Sequence, residues 1–279
     1  MPDVSSHPSV AVLGAGAMGE VLAGGLMRAG WRREDLVLAA RREERRAEVE
    51  RFTGVATLLD AAAAARGRDV VVVAVKPGDV LRLITQIEGA VTPEQVVVSL
   101  AAGVPTRVYE EHFEGVPVVR AMPNTPAAID EGITALCPGV HAGEAALTAA
   151  ERVLGAVGST IRLDEELLDA VTAVSGTGPA YVFLLAEALT EAAIREGIPR
   201  HAAERLVLQT VKGAGALLAA SDATAEQLRA QVTSPGGTTA AAVHVLEGRG
   251  FRAIVEDAVQ AAALRSRELG AKAGGRADT

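Results

Sequence analysis

Residues 70–75 read Val-Val-Val-Val-Ala-Val, an apolar run with no polar position in it. A half-exposed strand alternates apolar and polar side chains, and a surface helix repeats them every three to four residues. An unbroken run fits neither pattern; it fits a strand covered on both faces. Such strands belong to parallel sheets flanked by helices, so this one segment predicts a layered α/β unit. Its surroundings agree. Ser9–Leu13, Leu36–Ala40, Val96–Leu100, Val116–Arg120 and Ile133–Cys137 read as further strands, with Thr160–Leu163 as a last one. Helical segments are expected over Met18–Ala29, Arg42–Arg51, Asp60–Arg66 and Gly143–Val157. The βαβ order implies a doubly wound, mostly parallel sheet.

After Asp164 the period changes and strand signals disappear. Helices are expected over Glu165–Val174, Pro179–Glu196 and Arg200–Ala220. A fourth follows Thr224, which with Gln227 forms a capping box. A fifth runs from Thr238 or Thr239 to near Gly248, and a sixth over Phe251–Lys272. Pro179 suits a first turn and Gly197 a helix stop. The expected domains are therefore residues 1–164, α/β, and 165–279, all-α. The runs Val182-Phe183-Leu184-Leu185-Ala186 and Leu206-Val207-Leu208, the latter joined by Val211, Leu217 and Leu218, go most of the way round their helices. Helices apolar all round must be buried, and a domain this small offers little interior. The reading is a dimer through the helical half, with a compact monomeric bundle as the alternative.

Composition narrows the function. A net charge of −8 argues against a nucleic-acid surface, which needs a basic stripe. The single cysteine, Cys137, rules out an intrachain disulfide and makes the cytoplasm the default location. At the end of an apolar run it reads as an inert small hydrophobe. The five histidines are scattered without ligand spacing, so no metal is expected. His244 reads as a packing or interface residue. The first nine residues are polar and lack the apolar core of a secretory signal. No apolar run approaches the about 18 residues of a membrane span. The tail from Gly274 to Thr279 is expected to fray.

Two motifs carry chemistry. Gly14-Ala15-Gly16-Ala17-Met18-Gly19 follows a predicted strand and opens a helix, the context in which G-x-G-x-x-G binds a dinucleotide. Gly14 permits the tight turn, Gly16 lets backbone approach a pyrophosphate, and Gly19 lets helix pack on sheet. An NAD site usually ends its second strand in an acid; here Ala39-Ala40-Arg41-Arg42 stands instead. Two guanidinium groups suit a 2′-phosphate, so NADPH is preferred over NADH, with Arg41 the safer contact. Both arginines also fit the start of a charged surface helix. The turns Ala74-Val75-Lys76-Pro77, Ser99-Leu100-Ala101-Ala102-Gly103 and Met122-Pro123-Asn124-Thr125-Pro126 end successive strands and are expected to line one crevice.

The second motif is Thr233-Ser234-Pro235-Gly236-Gly237-Thr238-Thr239, opening an apolar helix. A helix N-terminus offers unpaired N–H groups and a favourable dipole to an anion. Hydroxyls of Ser234, Thr238 and Thr239 can cap that helix or hold a ligand. One end of the chain thus reads as a dinucleotide site and the other as a small-carboxylate site.

Together with Arg120-Ala121 before the Met122 turn and with Ser175-Gly176-Thr177-Gly178-Pro179-Ala180-Tyr181, these motifs resemble the pyrroline-5-carboxylate reductase family over about Val10 to Leu269. The resemblance implies an α/β Rossmann-like N-terminal domain and an all-α C-terminal dimerisation domain. It also implies an obligate dimer, assembled further into a decamer in many members. The implied reaction is hydride transfer from NADPH to L-1-pyrroline-5-carboxylate, giving L-proline. The active site lies between the cofactor domain of one subunit and helical-domain residues, some drawn from the partner. By the same resemblance Ala74, Lys76, Pro77, Ala101 and Gly103 lie along the cofactor, and Val75 falls within that motif. Glu165, Gln231, Thr238 and Thr239 lie near substrate or nicotinamide. Thr177 stands where the family usually has serine, and Gln231 where asparagine is common. Read through this chemistry, N–H groups of Gly236, Gly237 and Thr238 hold the carboxylate with help from Ser234. Thr239 supplies the hydroxyl facing the ring nitrogen, which makes Thr239 and Ser234 the catalytic candidates.

Two other readings compete. A β-hydroxyacid dehydrogenase shares the two-domain plan but needs a base, for which Lys212 is the candidate; its surroundings suggest a solvated, snorkelling lysine instead. A redox-sensing module would keep Gly14–Gly19 without needing the carboxylate loop. Turnover separates both from the reductase.

Overall fold

In the computed structural model the described residues are 7–273, with side chains described to Gly270. The expected frayed tail and most of the polar N-terminal segment lie outside them. Eight strands form one sheet: β1 (Val10–Leu13), β2 (Leu36–Ala39), β3 (Thr57–Leu58), β4 (Val70–Val73), β5 (Val96–Ser99), β6 (Val118–Met122), β7 (Gly132–Pro138) and β8 (Gly158–Arg162). Their order is β3-β2-β1-β4-β5-β6-β7-β8, parallel throughout except where β7 runs antiparallel to β6. The order reverses at β1, between β2 and β4, which opens a crevice at the carboxyl ends of these strands.

The valine run explains the layering. Val70 and Val72 join one core with Val10, Val12, Leu22, Leu26 and Leu147. Val71 and Val73 join another with Ala11, Leu13, Ile84, Ile87 and Tyr109. All four β4 valines are wholly buried. Each contributes roughly 2 kcal/mol by burial, and neither face could lose its helices without exposing two of them. The covering helices are α1 (Ala17–Arg28), α2 (Glu43–Thr53), α3 (Ala61–Ala65), α4 (Val80–Ile87), α5 (Arg107–Glu110) and α6 (Glu144–Leu154). Asp60 caps α3 by accepting from the N–H groups of Ala62 and Ala63.

Beyond Arg162 the described chain is helical: α7 (Leu168–Val171), α8 (Gly178–Arg195), α9 (Arg200–Ala220), α10 (Ala225–Gln231), α11 (Thr238–Gly248) and α12 (Phe251–Ala273). The Thr224–Gln227 capping box forms in both directions. The expected continuous helix over Glu165–Val174 does not form. A 3₁₀ turn at Glu165–Leu167 leads into α7 and then a π-turn at Thr172–Gly176.

Two compact units result, one comprising the chain to Gly176 and again from Ala262, the other Thr177–Ala261. This division differs from the change of period at Asp164 for physical reasons. Leu168 is buried with Ala135 and Cys137 of β7. The end of α12 returns to the first unit: Ser266 Oγ donates to Asp169 at 2.6 Å, and Gly270 packs on Gly103 so closely that a side chain on either would collide with backbone.

The second unit, on its own, is short of core. Val182, Phe183, Leu184, Leu185 and Leu189 of α8 are exposed, as are Leu206, Leu208, Leu217 and Leu218 of α9. By length and composition alone, the helical stretch Glu165–Arg195 is long and apolar enough to cross a membrane, although no uninterrupted apolar run in it approaches about 18 residues.

Candidate active site

At the crevice, a groove of about 350 Å³ is lined by Gly14, Ala15 and Gly16, by Ala39 to Arg42 after β2, and by Ala74, Val75 and Lys76 after β4. The three fingerprint glycines have three separate reasons to be glycine. Gly14 has φ +122°, and a Cβ there would lie 2.6 Å from the carbonyl oxygen of Ala74. A Cβ at Gly19 would overlap the carbonyl oxygen of Gly14. Gly16 has an ordinary φ of −87°, and a Cβ there would meet nothing within 4 Å. Its side-chain space faces the groove, so a glycine there serves whatever approaches from outside.

The N–H groups of Gly14 and Ala15 donate to the Ala39 carbonyl, while those of Gly16, Ala17 and Met18 find no acceptor among the described residues. This is a cradle for an anion at a helix N-terminus. Arg45, which sequence reasoning missed, braces it: Nε donates to the Ala15 carbonyl at 2.7 Å, while Glu20 and Glu48 pair the other nitrogens. Lys76 is extended before Pro77, as the proline dictates. The residues present therefore fit a dinucleotide.

Those arginines are arranged by a residue that the sequence also left silent. Asp79, just before α4, accepts from Arg41 at 2.9 Å and from Arg82 at 2.8 Å on one oxygen. Arg82 lines the groove beside Arg41 and Arg42. The spacing Val80, Leu83, Ile84, Ile87 marks α4 as a helix with one buried face, and that signal would have placed Arg82 on its exposed side.

Each of the three strand-end turns has its own surroundings. The turn after β4 lines the large groove. Gly103, after β5, lines a separate hollow of about 250 Å³ with Arg107, Arg120, Asp169, Arg267 and Gly270. Its φ of +73° and its approach to Gly270 account for glycine there without a ligand. Ala101 is buried, its N–H on the Ser99 hydroxyl. The turn after β6 is tied to the π-turn: Asn124 Nδ2 donates to the Ser175 carbonyl, and a Cβ at Gly176 would strike Met122.

Glu165 is held on both oxygens. The Thr106 N–H and hydroxyl each donate at 2.9 Å, and Arg120, nearly buried on β6, donates at 3.1 Å. Cys137 is fully buried, and burial pushes its thiol up to about 12.

In the second unit, the Ser234–Thr239 loop departs from expectation in one detail. Gly237 is the N-cap of α11, and no side chain caps the helix. The Gly237 N–H is spent on the Ser234 carbonyl at 3.0 Å. A Cβ at Gly237 would overlap the Ser234 hydroxyl, so that hydroxyl packs over the turn. The N–H groups of Thr238, Thr239 and Ala240 find no acceptor among the described residues, and the first helical bond is Ala241 N–H to Gly237. Of the three expected donors, Gly237 is thus spent, whereas the N–H groups of Gly236 and Thr238 find no acceptor among the described residues. Thr239 is half-buried; Ser234, Thr238 and Gln231, at the end of α10, are exposed. His244 and Lys212 are exposed on α11 and α9.

Comparison with known proteins decides between the readings. Residues 165–269 match the family described as pyrroline-5-carboxylate reductase dimerisation, and residues 9–103 the family described as NADP oxidoreductase coenzyme F420-dependent. The chain is 42% identical to the pyrroline-5-carboxylate reductase of Mycobacterium tuberculosis, covering 93% of this chain and 96% of that one. The chain belongs to the pyrroline-5-carboxylate reductase family. A solved pyrroline-5-carboxylate reductase from Coxiella burnetii superimposes with a TM-score of 0.89 at 35% identity, covering 95% of this chain and 99% of the other. The Plasmodium falciparum pyrroline carboxylate reductase, solved with NADP bound, gives 0.83 at 29% identity, with 94% and 98% covered. This pyrroline-5-carboxylate reductase chain is thus an NAD(P)H-dependent oxidoreductase acting on a C=N bond, with proline as product. The hydroxyacid and sensor readings fall with that result.

Proposed function

We propose that the groove of the first unit takes NADPH in preference to NADH and that the loop before α11 takes the substrate carboxylate. The uncommitted N–H groups of Thr238, Thr239 and Ala240 carry this reading. They have no other partner among the described residues, and the helix dipole adds to their pull on a negative charge. Arg41 and Arg42 stand where an NAD site would place an acid.

NADPH, when bound, supplies the hydride from C4 of its nicotinamide to the imine carbon. The chain's own part is orientation and polarisation. Gly16 to Met18 hold the diphosphate, and Ala74 to Pro77, with Ala101, run along the cofactor. The carboxylate on α11 fixes one end of the substrate ring. The Thr239 hydroxyl then donates toward the ring nitrogen, raising the electrophilicity of the adjacent carbon. Ser234 shapes the turn that presents these groups. Thr177 and Gln231 contact substrate, and Glu165, held by Thr106 and Arg120, stands near the nicotinamide. In this reading the exposed apolar faces of α8 and α9 meet a second copy of the chain in the cytosol, not lipid. A ring of five such dimers is the larger assembly.

Thr238→Pro tests the carboxylate site. Gly237 is extended at ψ 170°, a conformation that tolerates a following proline. Proline at the first helical position keeps α11 and deletes one N–H donor. The variant should lose roughly tenfold of its preference for 1-pyrroline-5-carboxylate over 1-pyrroline, the worth of one charge-assisted bond. Thr238→Ala, which keeps the N–H, should lose little. Unchanged discrimination in Thr238→Pro would remove the loop from carboxylate binding.

A further inference from the structure

We infer that Arg82, on α4, is a specificity-determining residue for the cofactor, closing with Arg41 a two-sided clamp on the 2′-phosphate. The inference rests on the NADPH reading above and adds a second element to it. Arg41 and Arg42 follow the end of β2; Arg82 comes from the other side of the groove, within the first turn of α4.

Two observations carry it. First, Asp79 Oδ1 serves both guanidinium groups, with Arg41 Nη1 at 2.9 Å and Arg82 Nη2 at 2.8 Å. Two cations sharing one acceptor atom are spaced to share one small oxyanion, and a phosphate with three terminal oxygens can accept from both. Second, the charges lining this groove are unbalanced. Arg41, Arg42, Arg45, Lys76 and Arg82 face it with Asp79 as the one carboxylate in the lining. Arg45 is already neutralised by Glu20 and Glu48, so it contributes geometry instead of free charge. Arg42 and Lys76 make no ion pair among the described residues, which leaves Arg41, Arg42, Lys76 and Arg82 against Asp79.

Without Asp79 the like charges of Arg41 and Arg82 would push these long side chains apart into solvent, since both are more than half exposed. Asp79 is therefore a positioning residue. It sets the clamp before the ligand arrives, lowering the ordering cost of two flexible side chains. A ribose 2′-hydroxyl offers no charge to the clamp, so NADH would gain nothing from Arg82.

The test is calorimetric binding of adenosine 2′,5′-bisphosphate and of 5′-AMP, which differ by the phosphate in question and require no turnover. Wild type should bind the bisphosphate more tightly. Arg82→Gln should weaken the bisphosphate about five- to tenfold, the worth of one half-exposed charge-assisted bond, and leave 5′-AMP within twofold. Arg82→Lys should restore part of the loss. Arg66→Gln removes an exposed positive charge outside the groove and should change neither. Equal weakening of both ligands by Arg82→Gln, or of neither, would overturn the role of Arg82 while leaving the NADPH reading standing. A wild type that does not distinguish the two ligands would overturn both.

Discussion

The three glycines of the fingerprint look alike in sequence, yet the structure predicts that replacing them with alanine has opposite consequences. Gly14→Ala puts a side chain at φ +122°, a region L residues rarely enter, at a cost of about 1–3 kcal/mol. The new Cβ would also sit 2.6 Å from backbone that ends β4, and relieving that contact costs about 1–3 kcal/mol more. For a chain of this size each kcal/mol lowers Tm by roughly 2–4 °C, so Gly14→Ala should melt roughly 4–24 °C early. Gly16→Ala meets no atom and strains no dihedral. Only the N-cap preference for glycine over alanine is lost, roughly 0.5–1 kcal/mol, or about 1–4 °C. Its Cβ, however, occupies the path by which a diphosphate reaches the N–H groups of Gly16 to Met18. Losing one such charge-assisted bond weakens NADPH by about tenfold or more. Differential scanning fluorimetry and calorimetric titration with NADPH, on both variants, read the two effects separately. A Gly16→Ala protein that melts as early as Gly14→Ala, or binds NADPH as wild type does, would refute the assignment of Gly16 to the ligand.

Other outcomes follow from the same geometry. Thr239→Ala should cut kcat/KM by about fivefold or more, a lost bond being worth about 1 kcal/mol, with calorimetric NADPH affinity unchanged; a change under threefold contradicts the hydroxyl's role. The Cys137 thiol, ordinarily near 9 and here raised to about 12 by burial, stays protonated in the folded chain at neutral pH. It should resist iodoacetamide at pH 8 until the protein is denatured, a result checked by mass spectrometry. Because the folded value lies above the unfolded one, its contribution to stability is complete below pH 9 and declines between about 9 and 12; buried Tyr109, also raised by burial, acts with the same sign. Denaturant melts at pH 8 and pH 10.5 should show the loss. Finally, Phe183→Glu with Leu184→Glu on the exposed face of α8 should yield monomers by light scattering, and wild-type self-association despite these charges would move the interface elsewhere.

What the sequence revealed was whatever one segment decides locally. The valine run announced a sheet buried on both sides, and the capping box at Thr224 and Gln227 fixed the start of α10. Arg200–Ala220 formed with the expected bounds. The two-residue strand β3 was invisible, since its existence depends on β2 beside it. Helix α4 was hidden because Pro77-Gly78-Asp79 reads as a loop, although the apolar spacing after it was present. Contacts made by convergence stayed hidden too. Asp79 lies 38 positions from Arg41, and Glu165 lies 59 from Thr106; no local pattern links them. The Ser234 loop was legible as the start of α11 but not in which N–H groups it leaves uncommitted, because the turn that spends the Gly237 N–H on Ser234 is a matter of backbone geometry. The compact units likewise reflect where α7 and the end of α12 find buried partners, which periodicity does not encode.

The most direct measurement is the loss of NADPH absorbance on adding L-1-pyrroline-5-carboxylate to the purified protein, with NADH in parallel and the product identified. The prediction is oxidation that yields L-proline, faster with NADPH at low cofactor concentration. Protein that is folded and binds NADPH, yet oxidises neither cofactor with this substrate, would contradict it.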